Sequence, residues 1–161
     1  MTVNDYNRCV NQHADAVYRF LLKNIRDQEK ARDLVQDSFE KLWMNVEQVP
    51  VEKAKSYLFT TAYHKLIDQT RVDKRMADWE TVNMSEYSHS EQYSDVMEKL
   101  EIGVSRLPAD QRSVILLRDY EGYSYKEIAD MTGLSEAQVK VYIYRARVYL
   151  KEFVGSVGSL V

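Results

Sequence analysis

Two helix starts lie close together in the segment Gly122–Phe153, GYSYKEIADMTGLSEAQVKVYIYRARVYLKEF. Ser124 with Glu127, and Ser135 with Gln138, each make the S-x-x-E/Q pattern of a capping box, in which hydroxyl and N3 side chain satisfy each other's free amides. Gly133 stands between the two starts, where a left-handed backbone closes one helix and turns the chain. The segment is therefore confined to two helices coupled by a tight turn. Ile128 and Ala129 face inward on the first, and Leu134 plugs the corner. On the second, Val139, Ile143, Ala146 and Leu150 recur at helical spacing and form one apolar face. The opposite face carries Lys140, Tyr144, Arg145, Arg147 and Lys151, with no acid between Val139 and Lys151. An ordinary helical hairpin with a solvated basic face would share this amphipathicity. Ala129 where the helices cross, Gly133 in the turn and Val139 branched in the shared core instead give the layout of a DNA-binding helix-turn-helix.

The rest of the chain extends the helical reading. Across 161 residues there are only 5 glycines and 2 prolines, separated by long helix-compatible runs, so the fold class is all-α. The length allows one domain or two small ones. The net charge of −3 does not announce nucleic acid, but it hides a segregation. Residues 76–95 hold five acids and no Lys or Arg, whereas Val139–Lys151 holds four bases and no acid. Cys9 is the only cysteine, so no intrachain disulfide can form, and it reads as a small packing residue. The polar N-terminus carries no signal peptide, and no apolar run reaches the roughly 20 residues of a membrane span. A soluble, cytoplasmic protein is expected, with no membrane insertion.

Taken in order, residues 4–25 form a first helix on the stripe Val10, Ala14, Val17, Leu21, Ile25. Asn24 to Asp27 read as a short turn, with Asp27 an N-cap. The second helix runs to about Val46 and buries Ala31, Leu34, Val35, Ser38 and Leu42. Asp33, Asp37 and Glu40 lie on another side with Gln36, Phe39 and Trp43; periodicity leaves it open whether those two aromatics are core or a partner-docking face. A third helix, from about Glu52 to Lys74, turns Ala54, Leu58, Thr61 or Ala62, Leu66 and Ile67 inward. Its other side offers Lys55, Tyr57, Thr60, Tyr63, His64, Arg71, Lys74 and Arg75. Bases interleaved with aromatics suit a melted strand, rings stacking on bases while cations track phosphates; Tyr57 and Tyr63 are equally compatible with half-buried core positions. From Met76 to about Tyr93 the period dissolves into an acidic, extended linker too long for a connection inside one domain. A fourth helix, Asp95 to Arg106, turns Val96, Leu100 and Val104 inward, and a fifth follows Pro108 to Tyr120. Val114–Leu117 covers every side of one turn, so periodicity does not choose its buried face, but Arg112, Arg118 and Asp119 should reach solvent or a partner. Residues 155–161 read as a frayed tail.

His13, His64 and His89 have no metal-ligand spacing, and there is no phosphate loop or nucleophile elbow. A binding protein without metal or cofactor is expected, not an enzyme.

These segments together resemble the extracytoplasmic function (ECF) group of bacterial RNA polymerase sigma factors, in the sigma-70 family, over nearly the whole chain. DQEKARDLVQDSFEKLWMN looks like the polymerase-docking segment, AKSYLFTTAYHKLIDQTRVDKR like the promoter-melting and −10-reading segment. LEIGVSRLPADQRSVILLRDYEGYSYKEIADMTGLSEAQVKVYIYRAR looks like the −35-reading domain. The resemblance implies a region 2-like domain over 1–75, a flexible acidic linker over 76–94 and a region 4-like helix-turn-helix domain over 95–154, without the extra domains of longer sigma factors. It implies docking on the β′ coiled coil of core polymerase through Asp33, Gln36, Asp37, Phe39, Glu40 and Trp43, with the polymerase β flap as a further partner. It implies −10 contacts from Lys55, Tyr57, Tyr63, His64, Arg71, Lys74 and Arg75, with a flipped-base pocket near Val46–Lys53. It implies major-groove contacts at −35 from Lys140, Val141, Tyr144, Arg145 and Arg147, and an anti-sigma factor as second partner. Tyr63-His64 stands where the family often has Arg-Asn, and Val141-Tyr142 where it often has Ser-Arg. Less polar −35 contacts are expected, with Val141 able to meet a thymine methyl. A stand-alone helix-turn-helix regulator is the alternative, and an interaction protein without DNA binding a third.

Overall fold

In a computed structural model of the chain, the backbone is described for residues 1–77 and 92–157, and side chains for 1–71 and 95–155. Helix α1 spans Val3–Ile25 and starts in a capping box between Thr2 and Asp5. It ends at Ile25, as expected; Asn24, which also read as part of the following turn, is a buried helical residue, and Arg26 closes the helix at φ 60°. Helix α2, Gln28–Met44, is capped by Asp27, as expected. A short 3-10 turn, Val51–Lys53, leads into α3, Ala54–Ala77. The second half contains α4 (Gln92–Arg106), α5 (Ala109–Ile115), α6 (Tyr125–Thr132) and α7 (Glu136–Val157). The described residues are helical or irregular throughout, with no strand among them. The linker expected over 76–94 is helical at both ends, and residues 78–91 lie outside the described residues; the tail is helical to Val157.

Helix α5 does not continue as α-helix to Tyr120. Leu116–Tyr120 is π-helical, with one extra residue in the turn. Val114, Ile115, Leu116 and Leu117 are all buried, which is why no single face could be chosen from their period. Helix α5 packs against α7 of its own half and against α3 and α1 of the other, and the π-helical turn that continues it packs against α1 and α6, with Asp119 and Tyr120 exposed.

A single buried cluster runs through both halves. In the first it contains Val17, Phe20, Leu21, Leu42, Leu58, Phe59 and Leu66; in the second Val114, Leu117, Ile128, Val139, Ile143 and Ala146. The inward positions expected on α3 are buried, except that Ile67 is partly exposed, and Thr61 and Ala62 are both inside. On α4, Val104 is buried but Val96 is exposed, a correction to the expected stripe. At Gly103 a β-carbon would sit 2.9 Å from the Phe153 ring, so glycine is what lets α4 and α7 approach. Phe59, absent from the expected core, is 1% exposed and touches rings from both halves: Phe20 at 5.8 Å and Tyr123 at 6.1 Å between centroids.

Polar groups join the halves as well. Arg112, expected at the surface, is buried. Its Nε donates to Asn24 Oδ1 at 2.9 Å, and its Nη1 donates to the carbonyls of Leu107 and Ser105 at 3.2 and 3.3 Å. Burial pushes this guanidinium below its usual pKa, yet arginine remains charged in proteins, so these acceptors are what make its burial tolerable. Asn24 completes its own hydrogen bonding by donating to Phe20 O.

Candidate nucleic-acid and polymerase interface

The helix-turn-helix forms as its caps require. Ser124 and Glu127 make a reciprocal capping box, and the Ser124 amide and hydroxyl hold the Glu127 carboxyl below the usual range. Gly133 closes α6 at φ 79°, and Ser135 and Gln138 make the second box. Val139, Ile143, Ala146 and Leu150 are buried, which turns the opposite side of α7 outward. Lys140 and Arg145 are exposed there, beside Val141 at 43% and Tyr144 at 69%. Lys140 Nζ lies 5.6 Å from the centre of the Tyr125 ring, which the Arg118 guanidinium also approaches, at 4.5 Å. Arg147 differs from the others. Its Nη2 and Nε grip both oxygens of Asp119, at 2.6 and 3.2 Å, a bidentate pair that raises its pKa. It buttresses α7 against the π-helical turn, and its donor fork is already engaged.

The residues expected to meet a melted strand are divided by the fold. His64 and Arg71 are exposed on α3, and Tyr57 is half-buried. Lys55 Nζ lies over the Tyr123 ring at 4.2 Å. Tyr63 is 6% exposed, and burial raises its hydroxyl to about 12; it packs beside α3's own His64 and faces Asp110 and Tyr142 of the second half. In this conformation Tyr63 is a core residue, a correction to its expected place on the strand-facing side. Lys74 and Arg75 are within α3, but their side chains lie outside the described residues. Around the expected base pocket, Val49 is buried and Val51 is 50% exposed.

On α2, Asp33, Gln36, Asp37 and Glu40 are exposed. Trp43 is 45% exposed, with Tyr6 edge-on at 5.0 Å. Phe39 is buried, which corrects its assignment to the docking surface: its ring joins the core while its carbonyl accepts from Tyr6 OH at 3.1 Å. An open groove between α1 and α2, lined by Tyr6, Val10, Tyr18, Val35 and Trp43, runs beside the acids.

Residue patterns did not disclose the contacts between the halves. Thr60 is the clearest example. Its hydroxyl reaches the carbonyls of Asp130 and Met131, at 3.2 and 3.0 Å, at the end of α6. Those carbonyls belong to the last turn, which has no intrahelical partners. Arg19 pairs with Glu121 through Nε and Nη2, each at 3.2 Å, and Arg26 with Glu101 at 3.4 Å.

Two family models match in order: Sigma-70 region 2 over residues 9–76 and Sigma-70, region 4 over residues 103–150. RNA polymerase sigma factor SigV of Bacillus subtilis (strain 168) is 31% identical over 86% of this chain and 84% of its own length. ECF RNA polymerase sigma factor SigM of the same strain is 30% identical over 84% and 86%. The chain belongs to the ECF RNA polymerase sigma factors. The sigma factor's fold also matches RpoE of Bartonella quintana, solved in complex with the anti-sigma factor NepR. The match has a TM-score of 0.73 and 28% identity, covering 95% of this chain and 98% of that one. The function that follows is promoter-directed transcription initiation, not that of a stand-alone regulator. Among the described residues of the sigma factor, no helix is long and apolar enough to cross a membrane.

Proposed function

We propose that this sigma factor docks on core RNA polymerase through the acidic outer side of α2 and reads the two promoter elements with different helices. Asp33, Gln36, Asp37, Glu40 and Trp43 form the docking side. Lys140, Val141, Tyr144 and Arg145 enter the major groove at −35, with Arg147 holding the helix in place. Lys55, Tyr57, His64, Arg71, Lys74 and Arg75 take the −10 strand, joined by Tyr63 once the second half moves away. The chain divides into two working units near residues 76–94, and the factor acts without catalysis of its own, in the cytoplasm with the polymerase. The RpoE–NepR complex supports an anti-sigma factor as a further partner. The observation that carries the reading is the exposed, acid-free side of α7 on a capped helix-turn-helix, behind a separate helix rich in bases and aromatics. Transcription of a fragmented genome by core polymerase, with and without the protein, tests it; the reading fails if no promoter depends on the factor.

Two substitutions test the assignments. Lys140→Ala and Arg145→Ala should each weaken −35 recognition by about 1–3 kcal/mol where the side chain grips a base, and less where it meets phosphate. Run-off assays on promoters altered only at −35 separate these cases, because a phosphate contact weakens all sequences alike. Asp37→Arg places a cation where an acid meets the polymerase. It should reduce core binding at least tenfold, about 1.4 kcal/mol, measured by competition with a labelled wild-type factor.

A further inference from the structure

We propose that Asp119 is a specificity-determining residue for −35 DNA: by gripping Arg147 it keeps a cation on the DNA-facing side of α7 off the phosphates and braces that helix for base reading. This rests on the sigma-factor reading above. Residues at i, i+4, i+7 and i+11 share one face of a helix, so Arg147 lies on the same face of α7 as Lys140, Tyr144 and Lys151. All four bases from Lys140 to Lys151 are exposed. Among the described residues, Arg147 alone of the four is held by a carboxylate. Both of its contacts go to Asp119, Nη2 to Oδ1 at 2.6 Å and Nε to Oδ2 at 3.2 Å. Both residues belong to the second half, one on the π-helical turn and one on α7.

The planar guanidinium fork matches carboxylate and phosphate alike, so Asp119 takes the place that a DNA phosphate would otherwise fill. Phosphate contacts raise affinity for every duplex, whereas contacts to base edges distinguish one duplex from another. Without Asp119 the long Arg147 side chain is free to add one phosphate contact, and α7 loses its tie to the π-helical turn. The first change strengthens binding to any DNA. The second weakens only base reading, which depends on how α7 sits in the groove. Both lower discrimination. The pair is an exposed one, with the two side chains 50% and 40% accessible, and such pairs contribute little to stability. Its removal therefore changes what α7 offers to DNA and leaves the fold intact.

The salt dependence of holoenzyme binding tests this. Core polymerase carrying the wild-type factor, Asp119→Ala, Arg147→Ala or the double variant is bound to labelled promoter duplexes with an intact or a scrambled −35 element. Each added phosphate contact steepens the fall of log K with log salt by about 0.9. Asp119→Ala should show this steepening on both duplexes, so that its affinity relative to wild type is about 3.5-fold higher at about 50 mM than at about 200 mM salt. Its preference for the intact −35 element should drop by about threefold or more. Arg147→Ala should lose preference too but keep the wild-type slope, because its cation was not on a phosphate, and the double variant should also keep that slope. An unchanged slope in Asp119→Ala, a steeper one in the double variant or a shallower one in Arg147→Ala would overturn the proposal while the sigma-factor reading stands. If the wild-type holoenzyme shows no preference for the intact −35 element, the sigma-factor reading itself falls, and the proposal with it.

Discussion

Phe59→Ala is expected to remove about 3–5 kcal/mol of stability, the usual cost of deleting a fully buried aromatic ring. Domains of this size are stable by only about 5–15 kcal/mol, so the variant should be close to unfolding at physiological temperature. The position explains why the effect is near the upper end. The ring is 1% exposed and is packed between Phe20 of the first half and Tyr123 of the second, so neither side can collapse into the space without giving up the other. Urea unfolding followed by circular dichroism gives the loss directly. A change of less than about 1 kcal/mol would mean that the ring is not the shared keystone its contacts make it.

The second large effect is expected at Asn24→Leu. The side chain is similar in size, so little packing is lost, but Oδ1 disappears from Arg112 Nε and Ser113 Oγ. A buried guanidinium then has an unmet donor, a loss of about 1.5–3 kcal/mol for a hydrogen bond to a charged group. Arg112→Met in the same chain removes the stranded charge, and an apolar replacement of a buried polar pair is often neutral or better. The double variant should therefore recover much of the loss, with a coupling energy of about 0.5–3 kcal/mol. Strict additivity of the two single changes would show that Asn24 and Arg112 act independently.

What could be read from residue order was local. Capping boxes, the turn glycine and the apolar period of α7 depend on neighbours within a few positions, and the folded helix-turn-helix has them where the pattern put them. The same holds for the acidic side of α2. What escaped depends on the meeting of the halves. Tyr63 alternates with bases on α3 and looks like a stacking residue until Asp110 and Tyr142 arrive against it. Phe39 sits among acids and faces inward nonetheless, because α1 covers it. Arg112 reads as a surface cation because nothing near it in the chain shows that Asn24, 88 positions away, will accept its Nε–H. Thr60 carries no sign that it will close the end of another helix.

The π-helical turn at Leu116–Tyr120 has a consequence for register. In an α-helix each residue advances the side-chain direction by about 100°, so one added residue rephases everything beyond it. That phase lets a short run of chain reach three ways: Asp119 to Arg147 on α7, Tyr120 beneath the Lys23 ammonium of α1, and Glu121 to Arg19. Deleting one residue there would restore ordinary winding and swing these groups out of step, so that the turn could serve the recognition helix or the neighbouring half, but not both. The extra residue works as a phase shifter, tying the position of α7 to the packing of the two halves.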